Sequence, residues 1–289
     1  MSELSDEVLE WCDILHYSRH SLMSPEFLDK KRKQFGFKIV VDTDDDWEVP
    51  KSHPKYESWS RGNISLQIRL HLMNADAVTC THERLARKVL PMNKNVYVIP
   101  SFIEKRRASS ITSYKVLYAS SGVNYHNLSV LGNAFKRVTA DIVVAGYSKD
   151  DVMFDRMSSY FYGNKLTKIP WVPVENYLDS YKGSVLIVPS KDIEFNSMKS
   201  NIKLLEAGAL KIPVIVSDAH PYKDFPVRYA NGESDWVRHL EELKSPELRK
   251  KEGKILHEFC MDTYNPSDIT ELRKSIYSEI IQRHTDDNK

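Results

Sequence analysis

Short apolar runs alternate along this chain with stretches in which apolar residues recur every three or four positions. CDILHYS (12–18), FKIVVD (37–42), DAVTC (76–80) and NVYVIPSF (95–102) follow the first pattern and read as strands. RGNISLQIRLHLMNA (61–75) follows the second, with Ile64, Ile68 and Leu72 on one face, and HERLARKVLP (82–91) is a helix ended by Pro91. The rhythm breaks at EKRRASSITSY (104–114), which is polar, lacks a period and reads as a linker. It then restarts. KVLYAS (115–120), DIVVAGY (141–147), TKIPWVP (167–173), SVLIVPS (184–190) and IPVIVSD (212–218) read as strands. Helices are predicted between them over 127–138, 174–182 and 199–210, and after them over about 233–243, 246–262 and 267–284. Strands alternating with helices predict parallel sheets. Two such runs predict two Rossmann-like, doubly wound α/β domains, 1–108 and 109–265, with a final helix at 266–289 able to cross back to the first. Ligands of open α/β sheets bind beyond the carboxyl ends of the strands, so two sheets facing each other would frame a cleft.

Composition narrows the function classes little. The chain has 289 residues, 41% of them hydrophobic and 28% charged, with a net charge of +1, so no global field selects nucleic acid or a membrane surface. The basic runs Lys30-Lys31-Arg32-Lys33 and Lys105-Arg106-Arg107 are short and read as solvated faces. Cys12, Cys80 and Cys260 have no metal-ligand spacing, and an odd, scattered set of thiols points to a reducing compartment. The acidic opening MSELSDEVLEW has no apolar core of a leader, and no apolar window is long enough to span a bilayer. The expectation is a soluble, cytoplasmic protein.

The densest candidate chemistry lies in SVLIVPSKDIEFNSMKSNIKLLEAGALKIPVIVSDAHPY (184–222). A buried strand ends near Pro189, a polar loop follows, and a helix opens near Ser200 and Asn201 with Lys199 just before it. Free N–H groups and the positive end of the helix dipole favour phosphate there. Lys199 adds a cation and Ser200 and Asn201 add donors, while Glu206 lies further along the same helix. This stretch resembles the nucleotide-sugar-binding half of GT-B glycosyltransferases, in particular the large retaining group 1 / family 4 superfamily, through VPS…KLLEAGALKIPVIVSD. NADAVTCTHERLARKVLPMNKNVYVIPSFI is similar to the end of that family's N-terminal domain, and KVLYASSGVNYHNLSVLGNAF to the opening of its C-terminal domain. The resemblance covers roughly 74–222.

The resemblance implies two Rossmann-like domains facing a cleft, the first shortened because an opening strand and Gly-rich turn are not seen before CDILHYS. It implies a nucleoside-diphosphate-sugar donor, no cofactor, and Glu206 on the ribose. Lys199 and Ser200 fall to the diphosphate and sugar, with Asn201, Ser121 and Gly122 as further donor-binding candidates. The family often carries a second glutamate upstream, and Met198 stands at that position.

VVDTDDDWEVP places Asp42, Asp44, Asp45 and Asp46 at a strand end. An Asp-x-Asp can hold a divalent cation. The resemblance instead implies a metal-free enzyme in which Asp44 orients a hydroxyl, and a third reading has Asp42 or Asp44 capping backbone N–H groups. His126 can reach a phosphate or the sugar, or stand in water at a helix start. His16 and His20 lie where an acceptor group would sit, and Tyr222 is either a base-stacking ring or core. The expected function is transfer of a sugar to an acceptor hydroxyl with retention; a glycan or a hydroxymethylated nucleic-acid base fits as acceptor. The alternative is a catalytically impaired nucleotide-sugar-binding or scaffold protein. A Rossmann oxidoreductase is excluded because no strand is followed by Gly-x-Gly-x-x-Gly.

Overall fold

A computed structural model describes residues 5–19, 23–104, 106, 111–148 and 153–287, with side chains to 282. In chain order the elements are α1 (Asp6–Trp11), β1 (Ile14–Ser18), α2 (Pro25–Phe35), β2 (Lys38–Thr43), α3 (Tyr56–Arg61), α4 (Ile64–Asn74), β3 (Ala77–Cys80), α5 (Glu83–Val89) and β4 (Val96–Val98). Then follow β5 (Lys115–Ala119), α6 (Ala134–Arg137), β6 (Asp141–Tyr147), α7 (Met153–Ser158), β7 (Lys165–Pro170), β8 (Val185–Val188), α8 (Glu194–Ser197) and α9 (Ile202–Ala209). The chain closes with β9 (Val214–Ser217), β10 (Arg228–Ala230), α10 (Glu233–Glu242), α11 (Pro246–Thr263) and α12 (Pro266–Asp287). No helix of the described residues is long and apolar enough to cross a membrane.

The elements form two compact units: one contains the chain up to Ser101, Met198–Ser200 and the segment from Pro266, the other Phe102–Ser197 and Asn201–Asn265. The first unit holds a four-stranded parallel sheet in the order β1-β2-β3-β4. Each strand is laid beside its predecessor in the same direction, and right-handed crossovers then carry every connecting helix to one face. That face is apolar. Ile39, Val41, Val78 and Cys80 pack there with Leu28, Ile68, Leu72, Leu85 and Val89. The register puts His16, Asp42, Thr79 and Tyr97 on the opposite face. Helix α12 meets those positions: Tyr97 Oη donates to Glu279 Oε1 at 3.2 Å, and the His16 and Tyr277 rings lie 6.0 Å apart. Ile269, Ile276 and Ile280 of α12 are buried.

The second unit holds a six-stranded parallel sheet in the order β10-β9-β8-β5-β6-β7. The chain lays β6 and β7 on one side of β5, then returns to lay β8, β9 and β10 on the other, so both faces are covered. Val116, Tyr118, Ile142, Val144, Val185 and Ile187 face one core with Phe135, Trp236 and Leu240. Their neighbours Leu117, Val143, Leu186, Val188 and Val214 face the other, with Leu204, Leu205, Leu256 and Cys260. Burial on both faces explains why these strands read as unbroken apolar runs.

Local structure departs from the sequence expectations at several points. The helix expected over 127–138 is a 3-10 helix over Gly122–Leu131 and the short α6, broken at Gly132, whose φ of 55° ends the first segment. The segment at 174–182 is also 3-10, over Val174–Ser180. The helix expected over 61–75 is α4, which starts at Ile64; Gly62 and Asn63 separate it from α3. Helices α1, α2, α3, α7 and α8 and strand β10 lack a sequence expectation. Helix α2 carries the Lys30–Lys33 run on a face where Lys31, Arg32 and Lys33 pair with Asp6, Asp29 and Asp76. Strand β10 adds an edge to the second sheet. Lys105 and Arg107 lie outside the described residues, as does His20.

Candidate functional site

In the second unit the strand order reverses between β5 and β8, which are direct neighbours. Connections leave the carboxyl ends of two such strands on opposite faces, opening a crevice at the place where α/β sheets bind ligands. The segments entering it are Ser120–Gly122 after β5 and the loop after β8. Ser121 precedes the 3-10 helix, its Oγ accepting from Asn124 Nδ2 at 3.2 Å, and Gly122 is buried. Asn127 joins the two segments: its Oδ1 accepts from Lys191 N at 3.2 Å and from Asn196 Nδ2 at 2.9 Å. Asn196 also donates to Lys191 O at 2.9 Å, so both its amide hydrogens meet acceptors and the amide orientation is fixed. Its Oδ1 has no hydrogen-bond partner among the described residues, although Asn196 is only 1% exposed. A buried acceptor left unpaired is costly, and a donor arriving with a ligand would remove that cost. His126 is held on its own helix, Nδ1 lying 3.0 Å from Val123 O, and its Nε2 is buried.

Helix α9 begins at Ile202, with Asn201 as its N-cap residue. Asn201 does not cap through its side chain; Nδ2 donates to Tyr264 Oη at 2.9 Å. Glu206 is nearly buried and accepts the Tyr181 hydroxyl. Burial raises its pKa, against the opposing pull of Lys203 and of the Tyr181 and Tyr177 hydroxyls. Lys203, one turn earlier, donates to Ala119 O at the carboxyl end of β5 and ties α9 to the crevice. Tyr222 is core, packed in the cluster that holds Val214 and Leu256.

Lys199 and Ser200 group instead with the first unit. Met198, at the family's upstream glutamate position, is buried among Cys80, Leu85 and Val89, and His82 Nε2 lies 3.0 Å from its carbonyl oxygen. Burial raises the Asp45 pKa, and the charge of Lys199 is a small pull in the opposite direction. Arg19, which follows β1 with a φ of 60°, reaches into the aspartates after β2. Its Nη2 lies 2.7 Å from Asp44 Oδ1 and 2.9 Å from Asp45 Oδ2, and Nε lies 3.0 Å from Asp44 Oδ1. Burial raises the Asp45 pKa, and Arg19 holds the rise down. The guanidinium thus stands where a cation bridging two carboxylates would be expected.

The other two aspartates have separate tasks. Asp42 accepts the Thr79 hydroxyl at 2.5 Å. Asp46 is the capping residue of the group: it accepts Glu48 N at 2.9 Å and pairs with Lys88 at 2.8 Å, whose ammonium also lies over the Trp47 ring. Among the described residues no three His, Cys, Asp or Glu side chains converge as a metal-holding group. His16 stands near Asp42 and Arg273, and burial lowers its pKa.

The sequence reading missed Arg19, Asn127 and Tyr181. For Arg19 a signal existed, because a lone basic residue just after a strand beside an acidic cluster is a natural counter-ion. Asn127 and Asn196 meet only through the tertiary fold.

The sequence matches no protein-family model and no curated protein. The structure is similar to solved structures across most of the chain. A UDP-forming α,α-trehalose-phosphate synthase from Burkholderia xenovorans superposes with a TM-score of 0.60 at 11% identity, covering 93% of this chain and 74% of that one. AviGT4, a glycosyltransferase involved in avilamycin A biosynthesis, gives 0.58 at 12% identity, over 96% and 77%. A second Burkholderia trehalose-phosphate synthase structure, in complex with glucose-6-phosphate, gives 0.54 at 9% identity, over 93% and 78%. With two parallel α/β sheets and these structural neighbours, the chain has the GT-B fold.

Proposed function

We propose that the protein is a glycosyltransferase that moves a sugar from a nucleoside diphosphate to an acceptor hydroxyl, with retention and without a bound metal. The observation that carries this reading is the Arg19–Asp44–Asp45 cluster at the carboxyl ends of β1 and β2, on which the charge of Lys199 also acts. It stands in a fold shared with glycosyltransferases. Asp44 and Asp45 accept sugar or acceptor hydroxyls, and Lys199 opposes the charge that grows on the leaving diphosphate. The second unit holds the donor: Ser121 and Gly122 after β5 and Asn201 before α9 offer polar groups, and Asn196 Oδ1 takes a ligand hydroxyl. Ser200 acts beside Lys199, and His126 lies in the segment after β5. Glu206 lies one turn from Lys203, where ribose binding requires the Tyr181 hydroxyl to share its carboxylate.

In the reaction the bond from the anomeric carbon to the diphosphate oxygen breaks, its electron pair leaving with the diphosphate. The acceptor oxygen bonds to the same face of that carbon, and its proton passes to the departing oxygen. Arg19 between the carboxylates does the charge balancing that a divalent ion would otherwise do. Activity is therefore expected to persist in EDTA; loss on chelation with rescue by Mn²⁺ or Mg²⁺ would return Asp44 and Asp45 to metal binding.

The test of the function itself is a panel of nucleotide sugars, read as thermal shift and as release of nucleoside diphosphate. A donor that stabilises the fold and is slowly hydrolysed supports the enzyme. Stabilisation with no release under any acceptor supports the second reading, a binding protein without turnover, which the burial of Met198 at the upstream glutamate position favours. No response to any nucleotide sugar would overturn both.

A further inference from the structure

A cavity of about 500 Å³ lies at the far end of the second sheet from the loops just described. Its lining segments precede strands: Thr112 leads to β5, Ser184 to β8, and Ile212 and Pro213 to β9. It therefore sits at the amino ends of the strands, separate from the proposed donor site, and is of the size that holds small ligands. Ile111, Leu210, Ile212 and Pro213 give it apolar walls, while Lys211, Arg249, Lys250 and Lys254 give it cations. Among the described residues its lining contains no carboxylate.

Two features make this a built site. Arg249 is buried, and its guanidinium donates to the carbonyls of Leu243 at 2.8 Å, Lys244 at 2.7 Å and Thr112 at 2.7 Å. Those bonds fix the fork, the Tyr114 ring lies 5.7 Å from it, and exposed Glu247 acts on its charge from a distance without forming an ion pair. A buried charge with no contacting ion-pair partner is unfavourable, and a bound anion relieves it. The second feature is Gly253. A Cβ there would lie 2.0 Å from Lys211 O, so the α11 backbone presses directly on the turn before β9. This holds Lys250 and Lys254, on either side of Gly253, beside Lys211 at the mouth.

We propose that this cavity binds an anionic amphiphile, a phosphate or carboxylate head on an apolar chain. The head meets Arg249 and the three lysines, and the chain lies along Leu210, Ile212 and Pro213. The test is thermal shift and calorimetry of the full chain with octyl phosphate and with octanoate below their micelle concentrations. Inorganic phosphate and octanol serve as single-feature controls. At least one amphiphile is expected to raise the melting temperature by about 3 °C or more, while the controls do not. Lys250→Glu/Lys254→Glu, which changes two exposed side chains, is expected to abolish the shift and leave nucleotide-sugar binding intact. An equal response to phosphate alone or to octanol alone, no response to either amphiphile, or a shift unchanged in the double variant would each overturn the proposal.

Discussion

Lys199 and Glu206 lie on one stretch of sequence but answer to different surroundings, and their substitutions should behave differently. Lys199 acts on Asp45 in the first unit. If its ammonium opposes charge on the leaving diphosphate, Lys199→Ala should lower turnover by about two orders of magnitude and weaken donor binding much less. Steady-state rates of diphosphate release measure this, and near-wild-type turnover would move the diphosphate elsewhere. Glu206 is buried against Tyr181 with Lys203 nearby, so Glu206→Ala strands a buried hydroxyl and should cost roughly 1–3 kcal/mol of stability. That outcome differs from the small effect expected of an exposed ribose ligand. Burial raises the Glu206 pKa above its unfolded value, so its contribution to stability is fully present at acid pH and declines as pH rises through the folded value. Glu206→Gln should flatten that decline in denaturant midpoints measured across the window. An identical pH profile in the variant would show that Glu206 does not control it.

Helix α11 shows how strongly packing can depend on one position. Gly253 lets its backbone touch the Lys211 turn, and Gly208 lets α9 approach Cys260, where a Cβ would lie 2.6 Å from the sulfur. Gly253→Ala must push α11 away and should cost about 1–3 kcal/mol, read as a lower denaturant midpoint with unchanged slope. At this scale the strands were legible because burial on both faces produces unbroken apolar runs, as in Val185–Val188. The segment at 122–131 was not, because apolar spacing does not separate a 3-10 helix from an α-helix over so short a span. Helix α2 carried readable end signals, Ser24 as cap, Pro25 at the first position and Gly36 at a φ of 83°, but its charged middle hid the period. Of the candidate site, the acidic cluster and the α9 helix could be found from residue types. The pairing of Arg19 with Asp44 and Asp45 and of Asn127 with Asn196 could not, since each depends on how the chain folds back on itself.

At the scale of the whole molecule, the first unit is assembled from the start of the chain, the 198–200 segment and α12, whereas the second is almost continuous. A fragment of residues 102–265 should therefore give native-like far-UV circular dichroism and a cooperative melt, while a fragment of residues 1–101 should not. In the shorter piece His16, Asp42, Thr79 and Tyr97 lose the helix that covers them, along with the buried isoleucines on its inner side. A well-dispersed amide NMR spectrum from residues 1–101 would show that α12 is dispensable. The one-directional strand order β1-β2-β3-β4 also has a consequence in time. A ribosome adds ~5–20 residues per second, so on the order of ten seconds or more separate synthesis of the sheet from synthesis of the helix that closes it. During that interval the nascent sheet presents one bare face, on which His16, Asp42, Thr79 and Tyr97 alternate with Ile14, Val40 and Ala77. The histidine, aspartate, threonine and tyrosine there interrupt the aliphatic positions, which keeps the waiting intermediate wetted and discourages it from sticking to its neighbours on the polysome.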